Sequence, residues 1–218
     1  MNSLSVCGKR WVYKKFKSSE VSDFIEKYSL TEIVAKLLSI RKKNIDNIDL
    51  FLNPKIKNLL PNPMQLKDMR NAIERTYENI HNGGLIGIFG DYDVDGATST
   101  ALLARYFFSI KQKVHTYIPD RKTEGYGPNI NGFKNLINIG AKIIFTVDCG
   151  TSSYEPIELA QKLNVDVIVL DHHQSDIKLP NACAIVNPNR YDDNSNLDYL
   201  CASGVCFVFL IGLNKKLR

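Results

Sequence analysis

Residues 85–96, LIGIFGDYDVDG, constrain the fold more than any other stretch of this 218-residue chain. The apolar first half is typical of a buried strand, and residues 97–103 are typical of a helix start. Asp91, Asp93 and Asp95 therefore stand where a strand passes into a helix, the edge at which open parallel sheets bind ligands. Three carboxylates this close repel one another unless cations or protons compensate them, so the stretch predicts a bound metal or a strained acidic cluster.

Two other interpretations of this acidic stretch exist. A D-x-D-x-D-G run also opens a calcium loop of the EF-hand type, but that loop needs a bidentate Glu at its twelfth position, where Leu102 stands. A phosphatase-like D-x-D would use Asp93 as nucleophile and Asp95 as acid. The stretch alone excludes the first interpretation and leaves the second open.

Composition indicates an ordinary globular protein, with 44% apolar and 23% charged residues. The five cysteines are odd in number and contain no C-x-x-C pair, which is typical of reduced thiols in a cytoplasmic protein. The N-terminus lacks an apolar core of signal-peptide length. The longest apolar stretch, 199–213, is interrupted and shorter than the roughly 20 residues that span a bilayer, so we expect a buried helix and no membrane segment.

Charge is distributed unevenly along the chain. Residues 1–84 hold 15 Lys and Arg against 9 Asp and Glu, whereas residues 85–218 hold 13 against 14. A basic region beside an acidic site that metal neutralises suits a polyanionic substrate. A solvated lysine surface would give the same counts.

Helical periodicity fills the region before residue 85. Residues 20–43 predict two helices, 44–63 a short helical piece between turns, and 65–82 a helix that ends at a Gly-Gly pair. We predict a helical N-terminal region at 1–62 and an α/β domain at 63–218.

From residue 85 onward, strand and helix patterns alternate as in a parallel sheet. Right-handed crossovers and the order 2-1-3-4-5 would place strands one, three and four side by side. The predicted fold is therefore a doubly wound α/β sheet of five mainly parallel strands with a helical N-terminal extension. The predicted strands are 85–90, 114–119, 142–147, 165–170 and 182–187, and the helices are 97–110, 130–139, 153–163 and 202–216.

Candidate metal ligands follow the third and fourth strands as well. Asp148 ends strand three, and Asp171, His172 and His173 end strand four. Asp148 could instead cap the next helix, and a histidine pair alone is weak evidence of ligation. Together with the acidic stretch, they supply mixed oxygen and imidazole ligands for two divalent ions, Mn²⁺ or Mg²⁺. On the middle strand, Asp148 is the natural bridge between two ions that hydrolyse a phosphodiester.

The segments GDYDVDGATST, VDCG and VLDHH, in this order and spacing, resemble the first three motifs of the DHH phosphoesterases. Other segments resemble members of that family that degrade single-stranded DNA. They are Trp11, FLNP at 51–54, NPMQLKDM at 62–69, YIPDRKTEGYG at 117–127, AIVNPN at 184–189 and ASGVCFVFL at 202–210. The resemblance implies a metal-dependent exonuclease that acts 5′ to 3′ in DNA repair and recombination. A small-substrate phosphoesterase and a non-catalytic binding module are the alternatives.

The resemblance also implies roles for the site residues. Asp93 and Asp95 would bind separate metals, with Asp148 as the bridge and His172 as a further ligand. His173 would contact the scissile phosphate. We expect Asp91 and Asp171 to orient the ligands without binding metal.

Two residues outside these motifs are candidates for binding DNA. Arg121 suits a phosphate clamp because a guanidinium binds two oxygens at once, and an ion pair with Glu124 is its alternative. Tyr126, between two glycines, could stack on a base or serve only in packing.

The family pattern includes a fourth acidic motif after the segment that resembles ASGVCFVFL, and a second domain. The chain ends at Arg218, so we expect the N-terminal part of a longer enzyme. The 218 residues alone would then be weakly active or inactive and would self-associate, whereas the full-length form would be an active monomer. Single-stranded DNA is the expected partner, with single-strand-binding proteins or helicases as further candidates.

Overall fold

The computed structural model describes residues 4–41 and 47–218. The chain forms two compact units, Met1–Leu60 and Pro61–Arg218. The predicted boundary between the helical N-terminal region and the α/β domain, after residue 62, stays a prediction. Within its described residues, 4–41 and 47–60, the first unit contains short helices and an isolated bridge between Leu4 and Arg10. Its helices are α1 (Ser18–Tyr28), α2 (Glu32–Arg41), α3 (Ile48–Leu52) and α4 (Ile56–Leu59). Parts of the predicted helical segments, residues 42–46, lie outside the described residues.

The second unit alternates strands and helices as the sequence pattern predicts. The observed strands differ from the predicted ones by no more than two residues at either end. After a 3-10 turn at Pro63–Gln65, the elements are α5 (Met69–His81), β1 (Leu85–Gly90), α6 (Val94–Ser109), β2 (Val114–Tyr117), α7 (Ile130–Asn138), β3 (Ala141–Val147), α8 (Tyr154–Lys162), β4 (Asp166–Leu170), β5 (Ala184–Val186) and α9 (Ala202–Leu217).

The five strands form one parallel sheet in the order β2-β1-β3-β4-β5, which confirms the predicted fold class and strand order. Its register aligns the carboxyl ends of the central strands, because Gly90 pairs with Val147 and Val147 pairs with Leu170. The residues that follow these three strands are therefore held at one level of the sheet edge.

Helices cover both faces of the sheet, as in a doubly wound fold. Along β1, Ile86 and Ile88 pack against the α5, α6 and α9 side, whereas Phe89 packs against the α7 and α8 side. Alternate strand side chains point to opposite faces, so both faces of each central strand are buried and the strands are mostly apolar. Helix α9 is largely buried, as predicted. Within the described residues, no helix has the length and apolar character needed to cross a membrane.

Arg190 ties the loop after β5 to the start of α5. Its side chain is only 7% exposed, and it pairs with Asp68 at 2.6 Å and with Asp192 at 2.7 Å. Its Nη1 also donates to the Ile185 carbonyl at 2.6 Å. A buried guanidinium is stable only when its donors are satisfied, so this arrangement fixes the loop that leads from the sheet to α9.

We expect Arg190→Met to lower the free energy of unfolding by about 2 kcal/mol, because the buried Ile185 carbonyl loses its charged donor. The loss stays moderate since Asp68 and Asp192 are 27% and 42% exposed and regain water. Urea unfolding followed by circular dichroism measures the change. Arg70→Met, at an exposed position on α5, is the control. Equal stability of the two variants would show that the buried pairing contributes nothing net.

Candidate metal centre

Asp91, Asp148 and Asp171 follow β1, β3 and β4 directly, and each residue is 1% exposed. The backbone extends the sheet pairing to these residues. The Asp91 N–H donates to the Val147 carbonyl at 3.3 Å, and the Asp148 N–H donates to the Leu170 carbonyl at 3.0 Å. The sheet itself thus brings three carboxylates from distant parts of the sequence to one buried edge.

Two groups of potential ligands share Asp148. One contains Asp148, His172 and His173, and the other contains Asp91, Asp93 and Asp148; in each group the ligand atoms lie within 4.8 Å of one another. The His172 Nε2 atom is 3.3 Å from Asp148 Oδ1. The structure therefore places Asp148 where a ligand common to two ions would stand, whereas its role as a bridge stays a prediction.

The Asp148 carboxylate lies beside both histidines but makes no hydrogen bond within the described part of the chain. Neither of its oxygens accepts a hydrogen bond there. Burial raises the pKa of Asp148 to about 8, and the neighbouring Asp93 and Asp95 carboxylates add to the shift. Its backbone is left-handed, with φ of 60°, a conformation that aspartate and asparagine tolerate better than other non-glycine residues. A buried, unpaired carboxylate on a strained backbone fits a cation-binding role.

Asp93 caps helix α6, which begins at Val94 and not after Gly96 as predicted. Its Oδ1 accepts the Gly96 N–H at 2.9 Å, which is the largest cause of its lowered pKa. Because the cap satisfies a free amide of the first turn, the helix starts inside the acidic stretch. The second Asp93 oxygen remains available to a cation.

Asp91 lies within the ligand group, although the sequence predicted only an orienting role for it. Its Oδ1 accepts the Tyr92 N–H at 2.8 Å, while Oδ2 is buried and unpaired within the described chain. Burial raises its pKa. The structure thus makes Asp91 a further candidate ligand.

Asp95 caps the distant helix α9. Its Oδ2 accepts the Ala202 N–H at 2.7 Å and its Oδ1 accepts the Ser203 N–H at 2.9 Å. Burial opposes ionisation of Asp95, but these donors outweigh it and lower the pKa. His172 Nε2 lies 3.7 Å from Oδ2. Asp95 is absent from both ligand groups, and its predicted role as a metal ligand stays a prediction.

Asp171 accepts hydrogen bonds from both residues of the histidine pair, and its predicted role in orienting metal ligands stays a prediction. Its Oδ1 accepts the His172 and His173 N–H groups and the His173 Nδ1 at 2.7 Å, while Oδ2 accepts the Thr151 N–H and hydroxyl. Burial opposes ionisation of Asp171, but these donors lower its pKa to about 2. The hydrogen bond between His173 Nδ1 and Asp171 Oδ1 raises the pKa of His173 to about 9. With Nδ1 facing Asp171, the His173 Nε2 faces the cleft.

Sequence reasoning missed two asparagines that hold the backbone of the histidine pair. Asn187 is fully buried, and its Nδ2 donates to the His173 carbonyl and to the Thr151 hydroxyl, each at 2.9 Å. Asn189 donates to the His172 carbonyl and, through its N–H, to Asn187 Oδ1. The signal was the segment AIVNPN, which places amide side chains directly after β5, at the same sheet edge as the aspartates.

We expect Asn187→Ala to lower the apparent affinity for Mn²⁺ by about 10-fold to 100-fold, the usual effect of removing a group that orients a metal ligand. Isothermal titration at fixed pH measures it. Asn181→Ala, at an exposed position before the same strand, should leave the affinity unchanged. Wild-type affinity in Asn187→Ala would mean that Asp171 alone sets the histidine geometry.

A cleft of about 310 Å³ opens beside the histidine pair, with Tyr126 and the 149–153 loop in its wall. The Tyr126 hydroxyl lies 3.3 Å from His173 Nε2. The Arg121 guanidinium lies over the Tyr92 ring at 5.3 Å. Among the described residues, Arg121 has no ion pair with Glu124, which instead accepts from the Tyr117 hydroxyl. The predicted DNA contacts of Arg121 and Tyr126 stay predictions.

A larger cleft, about 570 Å³, lies at the opposite edge of the sheet beside Arg75, Lys113 and Lys142. It lacks the carboxylate and imidazole groups of the DHH edge. Its size alone therefore does not make it the reactive site, and the chemistry favours the smaller cleft.

The carboxyl edge of this doubly wound sheet gathers five aspartates and two histidines. Such a fold and site define a phosphoesterase class with a candidate divalent-cation centre. The model of the DHH family, N-terminal domain, matches residues 85–217. The chain belongs to the DHH family.

Two relatives are named as single-stranded-DNA-specific exonuclease RecJ. The Bacillus subtilis protein is 34% identical over 201 residues, which cover 91% of this chain and 25% of that protein. The Escherichia coli protein is 38% identical over 168 residues, which cover 77% of this chain and 29% of that protein. The chain thus spans between a quarter and a third of the length of these curated relatives.

Solved RecJ structures share the fold. RecJ from Thermus thermophilus in complex with Mn²⁺ has a TM-score of 0.69 and 25% identity, covering 91% of this chain and 27% of that one. An exonuclease RecJ bound to manganese has a TM-score of 0.64 and 32% identity, covering 70% of this chain and 38% of that one. Both structures were solved with the metal that the ligand set of this chain suits.

Proposed function

We propose that this chain supplies the metal-binding α/β domain of an exonuclease that hydrolyses single-stranded DNA from the 5′ end. The observation that carries the proposal is the pair of ligand groups that share the buried Asp148 carboxylate. Similarity to RecJ proteins, some of them solved with Mn²⁺ or Mg²⁺, supports the choice of substrate and metal.

Asp93, Asp95, Asp148 and His172 would hold two divalent ions, with Asp91 as a further ligand. When bound, such ions activate water and stabilise the leaving oxygen of a phosphodiester. The candidate ligands are preorganised before metal binds, because the Asp93 cap and the Asp171 hydrogen bonds restrict their positions.

His173 would donate to the scissile phosphate from Nε2. Its hydrogen bond to Asp171 fixes the ring and raises its pKa to about 9 in the metal-free chain. A fixed hydrogen-bond donor beside the phosphate stabilises the charge that develops during hydrolysis. Arg121, held over Tyr92, would bind a neighbouring phosphate, and Tyr126 would border the same cleft.

The proposal includes a cytoplasmic setting in DNA repair and recombination. All five cysteines are free, as expected in a reducing compartment. Single-strand-binding proteins or helicases would then be partners, and the full-length protein would act as a monomer.

The test is hydrolysis of 5′-phosphorylated single-stranded DNA by the longest natural form of the protein that contains these residues. We expect Mn²⁺-dependent release of nucleotides from the 5′ end, with little action on duplex DNA or on a dinucleotide. His173→Ala should lower kcat about 10²-fold to 10³-fold, as removal of one charge-stabilising donor does. Asp176→Asn, in an exposed loop, is the control. Preference for the dinucleotide would instead indicate a small-substrate phosphoesterase.

A further inference from the structure

Residues 9–17, KRWVYKKFK, form an aromatic–basic segment in the first unit. The segment holds five cations, three aromatic residues and no acid. Every one of its residues is exposed, and α1 begins only at Ser18. Such a composition at an exposed position is unusual, because aromatic side chains are normally at least partly covered.

The two ends of the segment differ in their surroundings. Near α1, the Lys17 N–H donates to Ser39 Oγ at 3.3 Å, and the Lys36 ammonium lies 5.3 Å from the centre of the Phe16 ring. These contacts hold the end of the segment against α2. Trp11 and Tyr13, in contrast, are 86% and 96% exposed. The part of the segment that lies away from α1 therefore presents two uncovered aromatic rings to solvent.

Among the cations of the segment, Lys17 has a carboxylate neighbour in the described part of the first unit and three others do not. Lys17 lies 3.6 Å from Glu20. Within the described residues of the first unit, no carboxylate lies within 4 Å of the side-chain nitrogens of Arg10, Lys14 or Lys15. Open aromatic rings between unpaired cations suit a flexible polyanion with flat bases.

We propose that the aromatic–basic segment binds single-stranded nucleic acid, with bases stacked on Trp11 and Tyr13 and phosphates neutralised by Arg10, Lys14 and Lys15. The inference rests on the proposed function for its substrate, and it adds a binding site outside the metal centre. A lipid surface is a poorer fit, because interfacial binding needs a helix with a continuous apolar face and residues 11–17 form no helix.

Trp11 is the only tryptophan of the chain, so its fluorescence reports directly on the segment. The experiment titrates the intact chain with oligo(dT) in the presence of a chelator, which prevents hydrolysis. We expect saturable quenching of Trp11 by the oligonucleotide. Inorganic polyphosphate, which carries charge without bases, should bind without comparable quenching.

Variants separate stacking from charge. Tyr13→Leu should weaken binding about tenfold, which lies within the range that stacking of one base on an aromatic ring contributes. Val12→Ala, at a 78% exposed position, should have no effect. Lys14→Gln with Lys15→Gln should reduce the salt dependence by about 0.7 per lost phosphate contact. Lys55→Gln with Lys57→Gln, exposed lysines of the same unit, should leave it unchanged.

Three outcomes would overturn the inference. They are an absence of Trp11 quenching by oligo(dT), equal quenching by polyphosphate, and a response to anionic phosphatidylserine vesicles in place of the response to DNA. The proposed function is tested separately by hydrolysis. Quenching without hydrolysis would support the segment as a binding site and contradict the exonuclease proposal. Hydrolysis without quenching would support the exonuclease proposal and contradict the binding site.

Discussion

Asp148→Asn is expected to stabilise the metal-free chain at neutral pH and to remove most of its stabilisation by Mn²⁺. The carboxylate is 1% exposed and neither oxygen has a hydrogen-bond donor among the described residues, so its charge is costly without a cation. Asparagine removes that charge and tolerates the left-handed backbone at this position. It also removes the ligand that both candidate groups share, so bound metal can no longer favour the folded state.

The raised pKa of Asp148 also predicts how the free energy of unfolding changes with pH. Because the pKa of Asp148 is raised to about 8 in the folded chain, the folded state holds its proton more tightly than the unfolded state. The free energy of unfolding should therefore fall between pH 4 and pH 8, by an amount on the order of 5 kcal/mol. The His173 contribution is present below about pH 6.5 and is lost as the pH rises through about 9. The decline between pH 4 and 6.5 thus belongs to Asp148 and Asp91, the two buried carboxyl groups whose pKa is raised, and its larger part should vanish in Asp148→Asn.

Urea unfolding at pH 5 and pH 8, with and without Mn²⁺, measures both effects. Saturating metal should stabilise the wild-type chain by about 2.7 kcal/mol at a hundredfold excess over the Kd. Asp176→Asn should behave as the wild type, since that side chain lies in an exposed loop. A metal-free wild type that is equally stable at both pH values would contradict the raised pKa of the buried Asp148 carboxylate.

Gly96→Ala is expected to destabilise the chain by about 3 kcal/mol, the upper range for inserting a methyl group into a filled site. A Cβ at this position would lie 2.5 Å from the Asp91 carbonyl oxygen and 2.7 Å from the Asp91 carbonyl carbon. These are backbone atoms of the sheet edge and cannot rotate away. The first turn of α6 would have to shift, and the Asp93 cap on the Gly96 N–H would be lost with it.

Thermal unfolding and Mn²⁺ titration together test the glycine prediction. Metal affinity should fall along with stability, because Asp91 and Asp93 move relative to each other. Thr98→Ala, at an exposed position on the same turn, is the matched control. A stable Gly96→Ala chain with weakened metal binding would mean that the strain is absorbed entirely within the acidic stretch.

The sheet was predictable because its signal is local and repeated. Each central strand is an apolar run that ends at an aspartate, and parallel pairing with right-handed crossovers leaves few strand orders. The convergence of the candidate ligands was predictable to the same extent, since Asp91, Asp148 and Asp171 follow three neighbouring strands. The predicted start of helix α6, at residue 97, was too late. Asp93 caps the helix, but within the alternating acidic stretch it was interpreted only as a metal ligand.

The remaining features depend on tertiary contacts that no sequence pattern shows. The cap that Asp95 provides to α9 joins residues 107 and 108 positions apart. Support of the His173 carbonyl by Asn187 depends on how far β5 extends along the sheet edge. Neither contact produces a sequence periodicity. Only the folded chain therefore shows which aspartates have carboxylate oxygens that accept no hydrogen bond.

Helix α9 has a consequence for the order in which the protein folds. Its first amides complete the hydrogen bonds of Asp95, and Asn187 completes those of the histidine pair, so the site requires residues from both halves of the second unit. Contacts between distant residues form late, because the intervening chain must first lose its conformational freedom. A nascent or partly folded chain that has formed only β1 and α6 therefore carries the acidic stretch without an organised metal centre, and ligand competence arises only with the last helix.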